Sequence, residues 1–292
     1  MMNVGWIGTG VMGAPLAGHL LKAGHEVVVA TRTPAKADEV IRQGARLLST
    51  PAEVAHVSEA VFTMVSYPGE VEEVYFGQHG LFSSSSSSMK LVVDLSTTQP
   101  TLSRRIAGEA KARGIAALDA PVSGGWLGAR QGCLAIMTGG DKEAFDLALP
   151  LLQVFGKTIT WMGPAGAGQQ TKLGNQLLVA GTMIGLCEAL RYAETNRLDP
   201  SAFMDVVGSG AAQCWSLSNL GPKMIAGDYA PGFYIEHFIK DLDIVIEECR
   251  SAGLDFPGLA LAATLYREAA QRGLGRNGTQ ALYEVYKARS NK

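Results

Sequence analysis

The chain has 292 residues, enough for one large domain or two modest ones around a generous core. Its 25 Lys and Arg against 27 Asp and Glu leave a formal net charge of −2, which argues against a general nucleic-acid or anionic-membrane binder, while 47 % hydrophobic and 18 % charged residues exclude a disordered chain. The 35 glycines exceed the usual share of ~7 % and point to tight turns that bring backbone close to ligands.

In chain order, Val4 to Ile7 predicts a strand, Ala14 to Ala23 a helix with Leu16, Leu20 and Leu21 on one face, and His25 to Ala30 a buried parallel strand. Further strands are expected at Ala60 to Val65, Leu91 to Leu95, Ala116 to Asp119 and Cys133 to Thr138. Strands separated by helix-length segments imply βαβ units and a doubly wound parallel sheet. The serine run Ser83 to Ser88 predicts a solvated loop without function. After the breaker cluster Gly163, Pro164, Gly166 and Gly168, residues 168–196 read as one long apolar helix, too polar at Asn175, Gln176 and Glu188 for a membrane span. Helical patterns continue at Ser201 to Val207, Leu217 to Ile225, Phe238 to Ala252 and Leu259 to Arg272. The expected architecture is an α/β domain over 1–163 and an all-α domain over 164–292, joined by the long helix. The four cysteines (Cys133, Cys187, Cys214 and Cys249) match no zinc spacing and read as reduced core thiols. With no basic leader at Met1 to Gly10, a cytoplasmic protein is expected.

Gly8-Thr9-Gly10-Val11-Met12-Gly13 follows the first strand and opens the first helix. In a Rossmann-like dinucleotide site, the first glycine permits the turn and the second lets backbone amides approach a pyrophosphate. The third allows close helix–strand packing. The second strand ends in Thr31-Arg32-Thr33-Pro34, with no acid before Asp38 to hold a ribose 2′-hydroxyl. Arg32 suits a 2′-phosphate instead, with hydroxyls from Thr31 and Thr33, so NADP(H) is preferred over NAD(H). A second glycine-rich turn, Gly166-Ala167-Gly168, precedes Lys172, and Asn175 and Gln176 share its helix face at offsets of three and four.

Five ordered motifs carry a resemblance over essentially the whole chain: Ile7-Gly8-Thr9-Gly10-Val11-Met12-Gly13; Asp94-Leu95-Ser96-Thr97; Asp119-Ala120-Pro121-Val122-Ser123-Gly124-Gly125; Gly166-x-Gly168-x-x-x-Lys172; and Phe233 with Lys240-Asp241-Leu242. The sequence resembles the β-hydroxyacid dehydrogenase family, which includes 3-hydroxyisobutyrate dehydrogenases, tartronate semialdehyde (2-hydroxy-3-oxopropionate) reductases and glyoxylate/succinic semialdehyde reductases. The resemblance implies an oxidoreductase in which Lys172 is the general acid that protonates a carbonyl oxygen as hydride arrives. Ser123, Gly124 and Gly125 would bind the substrate carboxylate, and Asn175 or Gln176 its reacting oxygen. Thr97 and Lys240 would flank nicotinamide and substrate, Phe233 and Asp241 would shape closure, and Met64 and Val65 would line the cofactor cleft. The physics agrees. A carbonyl accepting hydride develops negative charge, and a nearby ammonium both stabilises it and supplies the proton.

The substrate signals point several ways. Lys172-Leu173-Gly174-Asn175-Gln176 is similar to tartronate semialdehyde reductases, Cys214-Trp215-Ser216 to 3-hydroxyisobutyrate dehydrogenases, and Arg32-Thr33 to the NADPH-using semialdehyde reductases. The expected activity is NADPH-dependent reduction of a small aldehyde acid to its hydroxy acid; the alternative is oxidation of a β-hydroxy acid by a 3-hydroxyisobutyrate dehydrogenase. Imine-reducing and non-catalytic relatives generally lack the lysine, so Lys172 counts against both. Trp126 reads equally as a pocket cap or an interface aromatic, Trp215 as a pocket or core residue, and His237 as packing. A homodimer or homotetramer is expected, because helix 168–196 is more apolar than one small domain covers. The partners are otherwise small acids, with no nucleic acid and no membrane.

Overall fold

Short runs of β-branched and aromatic residues build the first half of the molecule. The computed structural model describes residues 1–83 and 88–289, so most of the serine run, 84–87, lies outside the described residues. Nine strands form one sheet: β1 (Asn3–Ile7), β2 (Glu26–Ala30), β3 (Arg46–Leu48), β4 (Ala60–Thr63), β5 (Leu91–Asp94), β6 (Ala116–Asp119), β7 (Val122–Ser123), β8 (Leu134–Gly140) and β9 (Gly156–Gly163). Their order is β3-β2-β1-β4-β5-β6-β8-β7, with β9 also paired to β8. The first six strands pair in parallel, which gives the doubly wound half that the sequence predicts.

The other end departs from that expectation. β8 runs antiparallel to β6 and β7, and only its pairing with β9 is parallel. Strands β3, β7 and β9 escape the sequence reading for a physical reason. The first two are three and two residues long, and β9 is an edge strand with mostly exposed side chains, so it lacks the buried run that marks a central strand.

Helices α1 (Gly13–Lys22), α2 (Asp38–Arg42), α3 (Pro51–Val57), α4 (Pro68–Phe76), α5 (Pro100–Ala112), α6 (Gly125–Gln131) and α7 (Lys142–Leu152) connect the strands. They bury two apolar clusters, one around Trp6, Leu16 and Val29 and one around Val61, Tyr75 and Val92. At the centre of the first, Trp6 stacks on Phe62 at 5.5 Å, and Phe155 stands edge-on to both rings.

The chain divides into two compact units, Met1–Lys172 and Leu173–Lys292. The division falls inside helix α8 (Ala167–Thr195), past the breaker cluster, because the first turn of that helix packs into the α/β unit. The second unit is helical: the rest of α8, then α9 (Pro200–Gly208), α10 (Trp215–Ile225), α11 (Ile235–Ser251), α12 (Pro257–Ala269) and α13 (Leu282–Arg289). Leu173, Met183, Leu186, Cys187 and Leu190 of α8 join Phe238, Tyr266 and Leu282 in its core. Helix α8 is long and apolar enough to cross a membrane by length and composition, but these side chains form a protein core.

Helix α12 runs on past Ala269 into a wide π-type turn over Ala270–Leu274, and the helical backbone breaks at Gly273, φ 85°, directly after the expected end at Arg272. Two expectations need correction. The cysteines are free, but only Cys187 is buried, and Cys133 is exposed. Trp215 opens α10 with 54 % of its surface exposed, so the core reading fails.

Candidate functional site

The glycine loop owes its shape to contacts that leave no room for side chains. Gly8 adopts φ 95°, and a Cβ there would lie 2.2 Å from the Met64 carbonyl oxygen. A Cβ on Gly13 would lie 2.0 Å from the Gly8 oxygen and 2.9 Å from Trp6 Nε1, whose indole N–H donates to that same oxygen at 2.9 Å. Gly10 differs, since nothing lies within 4 Å of its missing Cβ. The first and third glycines therefore serve conformation and packing, while the second opens onto space. Beside it the Thr9 hydroxyl is buried with no hydrogen-bond partner among the described residues. An orphaned donor and an open glycine at a strand-to-helix turn fit a dinucleotide's phosphates.

A cavity of about 260 Å³ continues from this loop across the carboxyl ends of β1, β2 and β4. Its walls include Gly8, Thr9, Gly10, Thr31, Arg32, Thr33, Met64 and Val65. Of the loop residues, Val11 is 48 % exposed and does not line the cavity, and Met12 precedes α1 at its N-cap position. Lys36, Ser49, Glu70 and His79 also line the cavity and went unnoticed in the sequence. For Lys36 there was a signal, a second cation close after Arg32 on the short turn Pro34–Ala37. Glu70 gave none, being 38 positions from the arginine that it pairs with. The cavity sits where the strand order reverses, the place where open α/β sheets bind ligands.

The second glycine-rich turn is fastened to the sheet by two buried side chains. Asp119, ending β6, accepts from the Gly166 N–H at 2.7 Å and the Gln169 N–H at 2.8 Å, so its carboxylate caps the start of α8. Gln169, fully buried, accepts from the Thr98 N–H at 3.0 Å and donates to the Ser96 carbonyl at 2.8 Å. The loop after β5 is thus tied to α8 through one amide. That loop is braced in turn: Ser96 N–H donates to Asp94 at 3.0 Å, and the Ser96 hydroxyl accepts from Val65 N–H at 3.0 Å. Thr97 lies between these anchors. Lys172 follows Gln169 by three residues and is 8 % exposed. The motif Gly166-x-Gly168-x-x-x-Lys172 therefore reads as a seating device with a lysine one turn beyond it. In the sequence Asp119 stands in a motif with no task of its own, and nothing there marks Gln169.

Burial pushes the Asp119 carboxyl up to about 6, against the pull of the amides that it accepts from. Its folded value thus lies above the ordinary 3.8. The stabilisation from this proton is complete below about pH 4 and is lost as pH rises through about 6. Wild type should accordingly lose melting temperature relative to Asp119→Asn between pH 4 and 7, and a difference that stays flat over this range would contradict the burial argument.

Ser123 ends β7, and Gly124 and Gly125 take φ 130° and 60° before α6, so this turn needs glycine whatever it binds. Trp126 is 38 % exposed with the Arg130 guanidinium 4.8 Å from its ring centre, a surface placement.

In the helical unit the Asn175 amide donates to Gln176 at 2.8 Å, and Gln176, 2 % exposed, donates to Asp241 Oδ2 at 2.5 Å. Lys240 Nζ lies 2.6 Å from Asp241 Oδ1. Four of the anticipated residues thus form one polar chain in which Gln176 is engaged at both ends. Phe233 packs on Phe238 at 5.8 Å and on His237 at 6.5 Å. His237, its pKa lowered by burial, also meets the Tyr234 ring edge-on, in keeping with a packing residue. Among the described residues no group of three or more His, Cys, Asp or Glu side chains could hold a metal ion.

Comparison with known proteins fits this geometry. The family model described as the NAD binding domain of 6-phosphogluconate dehydrogenase matches residues 3–163, and that described as NAD-binding of NADP-dependent 3-hydroxyisobutyrate dehydrogenase matches residues 166–286. An uncharacterized oxidoreductase of Bacillus subtilis, YkwC, is 45 % identical over 97 % of this chain and 98 % of its own. The 2-hydroxy-3-oxopropionate reductase of Escherichia coli is 36 % identical over 99 % of both chains. The crystal structure of a 3-hydroxyisobutyrate dehydrogenase from Salmonella typhimurium superposes with a TM-score of 0.87 at 27 % identity, covering 98 % of this chain and 100 % of that one. With both halves matched in order and full-length relatives well above 30 % identity, the chain belongs to the β-hydroxyacid dehydrogenase family of NAD(P)-binding oxidoreductases.

Proposed function

We propose that the protein reduces a small aldehyde acid, such as tartronate or succinic semialdehyde, to its hydroxy acid with NADPH, and that Lys172 donates the proton. The observation that carries this reading is the seating of α8 by Asp119 and Gln169, which fixes a largely buried lysine at the sheet edge that also bears the glycine loop. When bound, the nicotinamide supplies the hydride. The Gly8–Gly13 turn would hold the pyrophosphate on backbone amides and the Thr9 hydroxyl. Arg32, with Lys36 and the hydroxyls of Thr31 and Thr33, would take the 2′-phosphate. Met64, Val65 and Thr97 would border the nicotinamide half. Lys172 Nζ would give its proton to the carbonyl oxygen as negative charge develops there, and would take it back in the reverse direction. Ser123 with the Gly124 and Gly125 amides would bind the substrate carboxylate. Asn175 would orient the reacting oxygen, since the Gln176 amide is already committed to Asp241. Lys240, positioned by Asp241, and Phe233 would complete the assignment from the helical unit.

The test is NADPH oxidation against tartronate semialdehyde, succinic semialdehyde, glyoxylate and methylmalonate semialdehyde, repeated with NADH. Turnover of one acid aldehyde with NADPH supports the reading. Activity confined to oxidation of 3-hydroxyisobutyrate supports the second reading, which the likeness to the Salmonella 3-hydroxyisobutyrate dehydrogenase favours. For the cofactor, Arg32→Asp should weaken NADPH binding by tenfold or more while changing NADH binding much less; equal losses would sink the 2′-phosphate role.

We also propose a homo-oligomer. On α8, Gly174, Leu178, Gly181 and Gly185 share one face, and Leu178 is 72 % exposed. A large apolar side chain flanked by glycines suits close approach of a second helix. Leu178→Asp should shift the particle to a smaller mass by light scattering; an unchanged mass would place the interface elsewhere.

A further inference from the structure

In the proposed 2′-phosphate site, the arginine already has a partner. Glu70 is the third residue of α4, and its Oε2 accepts from the Ser66 N–H at 2.9 Å and the Tyr67 N–H at 3.3 Å. Two backbone donors therefore fix the carboxylate, whose side chain is only 19 % exposed. The remaining oxygen, Oε1, holds the Arg32 guanidinium, and Arg32 is 82 % exposed. The pair is lopsided, with a largely buried, anchored acid holding a long and mostly exposed cation. Lys36 and Glu73 line the same cavity, so two cations face two carboxylates, and these four groups contribute no net charge.

That balance matters differently to the two cofactors. A 2′-phosphate carries close to two negative charges and needs the guanidinium. To gain it, the phosphate must displace Glu70 and then sit beside an anion that cannot retreat, because Ser66 and Tyr67 hold it. A ribose 2′-hydroxyl has no charge to be repelled and can donate to a carboxylate. We propose that Glu70 is a specificity-determining residue that restrains NADPH selectivity by competing with the 2′-phosphate for Arg32. This rests on the assignment of Arg32 to the 2′-phosphate, and it adds a residue outside the segment after β2 from which cofactor preference is ordinarily read.

Glu70→Gln is the informative change, since the amide keeps an acceptor oxygen for Ser66 and Tyr67 and removes only the charge. Titration of the binding of NADPH and NADH by cofactor fluorescence should show NADPH tightened about three- to tenfold and NADH within about twofold, the range for freeing an exposed ion pair next to a bound anion. The same change in an Arg32→Ala background should give no NADPH gain, because the competition runs through the guanidinium. Three results with the glutamine change overturn the proposal. One is an unchanged NADPH-to-NADH ratio in Glu70→Gln. Another is weaker NADPH binding, which would make Glu70 a support for Arg32. The third is a gain that persists without Arg32, which would make it a direct repeller. Arg32→Ala alone separates this inference from its parent. If it costs NADPH nothing, the 2′-phosphate assignment fails and this one with it; if it weakens NADPH and Glu70→Gln changes nothing, only the role of Glu70 fails. A melting curve that superposes on wild type verifies that the glutamine variant is folded.

Discussion

Lys172→Ala is expected to lower turnover by about a hundredfold or more, the usual range for loss of a general acid, while leaving NADPH affinity within about twofold of wild type. The separation follows from where the proposed function places its two parts. The cavity next to the glycine loop is walled by residues after β1, β2 and β4, and Lys172 is not among them. Its helix is held instead by Asp119 and Gln169, so trimming the side chain beyond Cβ leaves the seating bonds of α8 in place. Lys172→Arg should be nearly as inactive. Arginine keeps the positive charge, but its delocalised guanidinium holds its protons far more tightly than an ammonium does, which makes it a poor proton donor near neutrality. Steady-state rates with the best semialdehyde, paired with fluorescence titration of NADPH, check both parts. Near-normal turnover in the alanine variant would remove the lysine from the chemistry, and equal loss of cofactor affinity would make it a binding residue.

What the sequence made legible was local. Val27 to Val29 and the Gly8, Gly10 and Gly13 spacing are decided within a few residues, and the structure puts a strand, a turn and a helix there. The same holds for the long apolar stretch that became α8. What it hid depends on partners far away in the chain. Asp119 meets amides 47 and 50 positions on, Gln169 reaches back to Ser96 and Thr98, and Glu70 finds Arg32. No period or spacing announces such pairs. Strand direction at β8 is equally non-local, because an antiparallel neighbour is chosen by the path of the chain rather than by the residues of the strand. Cys133 is exposed where a core thiol is expected, because composition assigns a residue type to the core on average, whereas the surface an element presents is settled by packing.

Gly168→Ala tests whether that hidden packing matters for function. Placed at Gly168, a Cβ would lie 2.4 Å from the Met137 carbonyl oxygen, 2.7 Å from the Asp119 carbonyl oxygen and 2.8 Å from Asp119 Oδ2. Two of these atoms are backbone in paired strands, β8 and β6, and cannot yield without breaking sheet hydrogen bonds. The helix must therefore withdraw. Withdrawal stretches the bonds from Gly166 and Gln169 to Asp119 and pulls the Gln169 amide off the loop at Ser96 and Thr98. Alanine is intrinsically better in a helix by about 1 kcal/mol, but overpacking against backbone costs about 1–3 kcal/mol, so the net effect on stability is destabilising. The larger consequence is for Lys172, four residues along the same helix. A shift of about 1 Å in a catalytic group can cost a hundredfold in rate. The expected outcome is a melting temperature lower by several degrees and a turnover loss of tenfold to a hundredfold. NADPH affinity should be little changed, because the glycine loop is untouched. Loss of cofactor binding in step with rate would mean that the variant unseats the whole sheet edge. Wild-type rate and stability would mean that the start of α8 does not press on β6 and β8 in solution, and the positioning role given to Asp119 and Gln169 would fall with it.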